Sequence, residues 1–147
     1  MKNQIIRSIA ILGLFFMLAI ASVNAQTPSR VEVNIPFDFS AGKATLKAGA
    51  YSIKRTSANV LVIRSVDGKT TALVNAPLTI GSRDSKAGER LVFNQYGSQY
   101  FLAQVWLSVD TGRQLFTSNA ETKAARAFKL ANNNAKPKRV EIAMHSR

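Results

Sequence analysis

Nine consecutive residues alternate strictly between apolar and other side chains, and this pattern constrains the fold of the 147-residue chain more than any other feature. Within residues 31–39 (VEVNIPFDF), every odd-numbered residue is valine, isoleucine or phenylalanine. Side chains of a β-strand point alternately to the two faces of its sheet, so this segment is predicted to be a strand with one buried face. Pro36 has no backbone N–H to donate, and we therefore expect the strand to lie at a sheet edge or to be bulged there.

Short β-rich segments recur along the chain at intervals of about ten residues, with turn residues between them. An Asp-Gly dipeptide ending at Gly68 separates segments 60–65 and 70–75, and glycine there can adopt the positive φ that a tight hairpin needs. A second hairpin is predicted from residues 91–94 and 100–107. This spacing predicts an all-β, mainly antiparallel single domain, either a sandwich or a small barrel of about eight strands. Alternation alone does not distinguish the two architectures.

One helix interrupts the β-rich pattern near the C-terminus. Ser118 and Glu121 have the spacing of a capping box, in which each side chain satisfies a free N–H at the helix start. Small and apolar residues then recur on one helical face, with Lys123, Arg126 and Lys129 outside it: Ala120, Ala124, Ala127, Phe128 and Ala131. The asparagines at 132–134 are expected to end the helix. Alternation over residues 140–144 predicts a final strand after it.

The first 25 residues have the organisation of a secretory signal peptide. Lys2 and Arg7 precede an uninterrupted apolar run over residues 9–21, and small residues lead up to Ala25. Cleavage is therefore predicted between Ala25 and Gln26. The run is shorter than the roughly 20 apolar residues that span a bilayer, so no transmembrane segment is expected in the mature chain. We expect the protein to be exported to the periplasm or the outside of a bacterial cell, with one β-rich domain over residues 26–147.

Three sequence motifs resemble a recurring family of small exported proteins of soil bacteria. They are IPFDF at residues 35–39, LKAGAY at 46–51 and YFLAQVW at 100–106. The resemblance implies export and a compact β-fold, and it implies no particular activity. Lys47 and Asn94 depart from the pattern, since relatives often carry Pro and His at those places.

Catalytic chemistry has little support in the sequence. The chain has no cysteine, and its one imidazole, His145, lies near the C-terminus, where a triad or a transition-metal site is not expected. Glu32 and Asp38 are six residues apart in the predicted strand, about 20 Å, whereas the two carboxylates of a glycosidase lie roughly 5 to 10 Å apart. A carboxylate pair built from different strands remains a weaker hypothesis, that of a hydrolase. We expect a non-enzymatic protein without a cofactor.

Positive charge is the strongest functional signal. The chain carries 20 Lys and Arg against 8 Asp and Glu. Loss of the signal peptide removes two of the basic residues and none of the acids, which leaves a net charge of +10. In the cell envelope, anionic glycans and lipid headgroups are the partners that such a charge attracts, and nucleic acid is not expected there. Lys54, Arg55 and Arg64, in neighbouring predicted strands, are the candidate anion-binding residues.

An aromatic sheet face provides the alternative hypothesis. Strict alternation over residues 100–107 predicts a core face of four residues: Phe101, Ala103, Val105 and Leu107. The other face would then carry Tyr100, Leu102, Gln104 and Trp106. Tyr100, Gln104 and Trp106 could stack against and hydrogen-bond a carbohydrate or another small ligand, unless the helix covers this face.

Overall fold

The structure is a computed structural model that describes residues 31–81, 88–132 and 135–146. These residues form one helix, eleven strands of three or more residues and one two-residue strand. The strands are β1 Val31–Ile35, β2 Phe39–Ala41, β3 Ala44–Leu46, β4 Gly49–Arg55, β5 Val60–Ser65, β6 Thr71–Asn75, β7 Leu78–Gly81, β8 Arg90–Tyr96, β9 Gln99–Trp106, β10 Thr111–Gln114, β11 Lys138–Ala143 and β12 His145–Ser146. The helix α1 is Asn119–Ala131. The predicted cleavage site at Ala25 and Gln26 lies outside the described residues.

Two mainly antiparallel sheets pack face to face as a β-sandwich. The first sheet has the order β12-β1-β4-β5-β6. The second has the order β11-β8-β9-β10-β7, and it also includes β2, which runs parallel to β9, and β3, which pairs with β2. The all-β prediction with one C-terminal helix and a strand after it is confirmed, and the architecture is the sandwich.

Prolines mark two of the four points where the described chain passes from one sheet to the other. The alternating segment 31–39 is two strands and not one, because β1 ends at Ile35 in the first sheet and β2 starts at Phe39 in the second. Pro36 lies between them, where its missing N–H costs no ladder hydrogen bond. Pro77 stands in the same way between β6 and β7. The greater number of strands than predicted arises partly from such breaks.

The core lies between the inner faces of the two sheets. Its largest fully buried side chains come from both sheets: Phe39, Phe93, Ile35, Ile53, Leu61, Ile63, Leu91, Val31, Val74 and Val105. The ring of Phe39 lies edge-on to Tyr51 and to Phe93, with centroids 5.4 and 5.5 Å apart. The motifs at 35–39 and 46–51 thus supply core contacts.

The same two motifs also meet at the surface. Asp38 accepts hydrogen bonds from Lys47 Nζ at 2.8 Å and from the Ala48 N–H at 2.9 Å. These bonds favour the ionised carboxylate and lower the pKa of Asp38. Both side chains are exposed, so the pair contributes little to stability.

A β-bulge in β9 reverses the expected faces of the residues that precede it in that strand. Val92 pairs with Gln104 and Phe93 pairs with Leu102, which leaves Ala103 as the extra residue. An extra residue shifts the alternation by one. Leu102 therefore shares the core face with Val105, while Phe101 and Trp106 share the outer face, and the predicted grouping of Phe101 with Val105 is wrong.

The helix lies on the outer face of the second sheet. Ser118 is the N-cap, and its hydroxyl accepts the Glu121 N–H at 3.1 Å; the helix ends at Ala131, before the asparagines as predicted. Phe128 contacts Tyr96 with ring centroids 6.0 Å apart. The prediction of which helical face packs against the sheet is partly wrong. The less exposed side has Glu121, Ala124, Ala125 and Phe128, whereas three of the predicted residues are exposed: Ala120, Ala127 and Ala131. Among the described residues, no helix has the length and apolar character to cross a membrane.

Candidate anion-binding surfaces

The first candidate surface lies on the outer face of the first sheet. Strand register pairs Ser52 with Arg64 and Lys54 with Val62, so Lys54 and Arg64 are diagonal neighbours on one face. Such neighbours have Cα atoms about 7–8 Å apart. Arg55 follows Lys54 and has the opposite orientation, at the exposed end of β4. The structure thus brings two of the three predicted residues together, and we call Lys54 and Arg64 the outer sheet surface.

An acidic residue shares this outer face. Glu32 pairs with Ser52, which in turn pairs with Arg64, so the three form a row across β1, β4 and β5. Val62 lies beside Lys54 and opposite Leu73, which is exposed. The two cations of the outer sheet surface are therefore surrounded by one carboxylate and by apolar side chains.

A denser group of cations lies on and beside the helix. Lys123, Arg126 and Lys129 are exposed and follow each other at three-residue intervals, a spacing that makes them neighbours on a helix. Arg139 is also exposed, and it pairs with Asn94 in the neighbouring strand β8. The Asn94 amide donates to Glu121 in the first turn of the helix. Arg139 therefore lies beside the start of the helix. We call Lys123, Arg126, Lys129 and Arg139 the helical basic surface.

The carboxylate of the helix does not oppose these cations. Glu121 is the only acid in α1, and it is 5% exposed because its side chain turns toward the sheet. The ion pairs seen in the described ranges join Asp38 to Lys47, Asp67 to Lys69 and Glu141 to Arg90, and so involve none of the four cations. The charged side chains on the exposed side of the helix are therefore all cations.

Sequence reasoning placed Lys123, Arg126 and Lys129 off the apolar stripe but assigned them no role. Two features of the sequence could have indicated a basic helix surface: the three-residue spacing of these cations, and Glu121 as the only acid of the helix. What the sequence did not reveal is that Glu121 faces the sheet, since that depends on Asn94 and Tyr96 in a distant strand.

Glu121 is the centre of a polar cluster between helix and sheet. One carboxylate oxygen, Oε1, accepts from Asn94 Nδ2 at 2.8 Å and from the Tyr96 hydroxyl at 3.4 Å. Burial raises the pKa of Tyr96, and the nearby Glu121 carboxylate raises it further. Tyr96 therefore stays neutral and remains a donor well above neutral pH. This cluster fixes the helix to the sheet.

Trp106 of the predicted aromatic site is covered. It is 4% exposed, and the Arg90 guanidinium carbon lies 4.3 Å from its ring centroid. Its Nε1–H donates to Gln104 Oε1 at 3.2 Å. The ring also lies directly against Gly112, the residue opposite it in β10. Nothing of this ring is available as a stacking platform for a ligand in this arrangement.

Tyr100 is separated from the other two members of the predicted aromatic site. Its ring stacks on Phe37 with centroids 3.8 Å apart, and it packs against the core. The bulge at Ala103 puts it on the core side of the sheet, while Gln104 and Trp106 lie on the outer side. The structure thus joins Gln104 to Trp106 and does not bring Tyr100 to them.

His145 lies in β12 opposite Glu32, and Glu32 lies opposite Ser52 on its other side. In a hydrolytic triad the imidazole stands between the carboxylate and the serine. Here the carboxylate occupies the middle place, and the Ser52 hydroxyl donates to the Arg64 carbonyl at 3.3 Å. Over residues 31–81, 88–132 and 135–146, no three His, Cys, Asp or Glu side chains cluster in a way that could hold a metal ion.

Comparison with protein-family models, with curated proteins and with solved structures finds no match to this chain.

Proposed function

We propose that this protein is a non-enzymatic, exported binder of anionic components of the bacterial envelope. The ligand chemistry is a surface dense in phosphate or carboxylate groups, as lipid headgroups or acidic glycans provide. The helical basic surface is the main contact, and the outer sheet surface is a secondary one. The observation that carries this proposal is the inward turn of Glu121, because it leaves cations as the only charged side chains on the exposed side of α1.

The charge of the chain supports the same function. A formal net charge of +12, or +10 without the first 25 residues, attracts anionic surfaces over distances longer than a contact. Near an anionic membrane, each Lys or Arg contributes about 1 kcal/mol. Exposed charges are screened by salt, with a Debye length of about 8 Å at physiological ionic strength. Binding through these residues is therefore expected to weaken steeply as salt is added.

Two variants test the proposal, and each replaces three cations by glutamate, so that both change the net charge by the same amount. One carries Lys123→Glu, Arg126→Glu and Lys129→Glu, and the matched control carries Lys54→Glu, Arg55→Glu and Arg64→Glu. Binding is measured by co-sedimentation with vesicles of equimolar phosphatidylglycerol and phosphatidylcholine, and by retention on polygalacturonate, each at low and high salt. Vesicles of phosphatidylcholine alone provide the neutral reference.

The helical variant is expected to bind at least about a hundredfold more weakly, since three contacts of about 1 kcal/mol each are lost and become repulsive. The sheet variant should lose less. Thermal melts establish that both variants are folded. The two probes separate a lipid ligand from a glycan ligand. Unchanged binding by the folded helical variant, or binding that does not depend on salt, would contradict the proposal.

A further inference from the structure

One edge of the first sheet has backbone groups that point away from the sheet. The β5–β6 ladder is bracketed by hydrogen bonds from the Ser65 N–H to the Thr70 carbonyl at 2.9 Å and from the Ala76 N–H to the Asn59 carbonyl at 2.7 Å. Hydrogen-bonded pairs recur every second residue in an antiparallel ladder, so residues 70, 72, 74 and 76 face β5. The intervening residues present their N–H and C=O groups to the side of β6 on which no described strand pairs: Thr71, Leu73 and Asn75.

In the part of the chain that the structure describes, β6 itself has none of the sequence features that normally protect an edge strand. Such strands usually carry charged residues, a proline or a bulge, or lie beneath another element. β6 (TALVN) has neither charge nor proline, and its register with β5 is regular. By contrast β11, an edge of the second sheet, begins with Lys138 and Arg139. At the centre of β6, Leu73 is 73% exposed.

Space for an added strand is present beside β6. Residues 73–75 form one wall of an open groove of about 880 Å³, and residues 116–120 and the β2–β3 hairpin form the others. Phe116, in the far wall, is 59% exposed. A new strand would lie about 4.7–4.9 Å from β6 in the plane of the sheet.

We propose that β6 pairs antiparallel with β6 of a second copy of this chain, about a twofold axis beside Leu73. In this register Leu73 lies opposite Leu73 of the second copy, and Thr71 lies opposite Asn75. The two Leu73 residues exchange two hydrogen bonds, and each Thr71–Asn75 pair exchanges two more. All outward backbone groups of both strands are thereby satisfied, and the two first sheets become continuous.

A second copy fits this edge because the edge is complementary to itself. The three outward residues are centred on Leu73, so a twofold rotation maps each onto a partner, as an isologous interface requires. The rotation places the exposed Leu73 side chains together on one face and pairs two polar side chains on either side of them. No charge lies in β6 itself, so the two paired strands place no like charges directly opposite each other, although Lys43 of the β2–β3 hairpin also lines the groove.

Single cysteines test the register, because the chain has none of its own. Opposed Cα atoms in a hydrogen-bonded pair are about 5.5 Å apart, within the range that a disulfide spans. Leu73→Cys should therefore give a covalent dimer on mild oxidation. Thr71→Cys should not, since the two residues 71 lie about four residues out of register, more than about 13 Å apart. Leu130→Cys, at a residue 87% exposed on the helix, measures random collision.

Light scattering on protein expressed from the full chain tests the association without a crosslink. The wild type should be a dimer, and Leu73→Lys should be monomeric with an unchanged melt, because the side chain is exposed in the monomer. Leu130→Lys should remain dimeric, and a mixture of Leu73→Lys with Leu73→Glu should form a heterodimer.

A monomeric wild type, or equal crosslinking at positions 71, 73 and 130, would overturn the proposal. Anion binding is measured separately with the helical variant, so the two proposals fail independently.

Discussion

At the scale of single residues, the position of Trp106 depends on the absence of a side chain at Gly112. Gly112 lies opposite it in β10, and a Cβ atom built on Gly112 would lie 2.5 Å from Trp106 Cδ2. Only glycine leaves room for the indole at this place. The ring in turn covers the backbone of Gly112, which is buried, and Arg90 covers the ring.

Gly112→Ala is therefore expected to destabilise the fold. The added methyl must displace the indole or the backbone of β10, and overpacking of this kind costs about 1–3 kcal/mol. Gly81→Ala is the matched control. Gly81 lies in the paired strand β7, and apart from its chain neighbours no atom of the described residues lies within 4 Å of the place that a Cβ would take. Urea denaturation should show a large loss for Gly112→Ala and none for Gly81→Ala. Equal stabilities of the two variants would contradict this account of Trp106.

At the scale of elements, the docking of the helix depends on one carboxylate. The capping box predicted that the Glu121 side chain bonds back to the helix start, but its Oε1 accepts from Asn94 and Tyr96. Two donors from β8 therefore determine which side of α1 faces the sheet. The same choice leaves Lys123, Arg126 and Lys129 exposed.

Glu121→Ala should destabilise the protein by about 1–3 kcal/mol, because it leaves the Asn94 amide and the Tyr96 hydroxyl partly buried without an acceptor. Glu121→Gln keeps an acceptor oxygen of the same size and should lose less. Thermal melts of both variants measure the difference. If the two substitutions cost the same, the charge and not the acceptor geometry holds the helix.

Elements whose limits depend on local chemistry were predictable from the sequence. The hairpin at Gly68, which has φ +75°, and the helix start at Ser118 agree with the structure. The bulge at Ala103 was not predictable, since no turn residue marks it and it follows from the pairing of β9 with β8. That one residue explains why Trp106, expected beside Tyr100, lies on the other side of the sheet.

At the scale of the whole molecule, the sequence predicted the class of fold but not the order of the strands. Alternation shows which residues are buried and is the same in a sandwich and a barrel. The described chain crosses between the sheets four times, at Pro36, at Pro77, between β3 and β4, and between β11 and β12. Only the three-dimensional arrangement shows that these breaks produce two stacked sheets. Net charge was likewise evident from composition, whereas its concentration beside α1 follows from helix docking.

The most direct test of the account is a residue-resolved titration of the protein with polygalacturonate, followed by backbone amide chemical shifts in NMR spectra. We predict that the largest shift changes at low salt occur over residues 123–131 and at Arg139, with smaller changes at Lys54 and Arg64. These changes should disappear at high salt, because exposed charges are screened there. Changes centred instead on Tyr100, Gln104 and Trp106, or changes that persist at high salt, would contradict the claim that the helical basic surface binds anions.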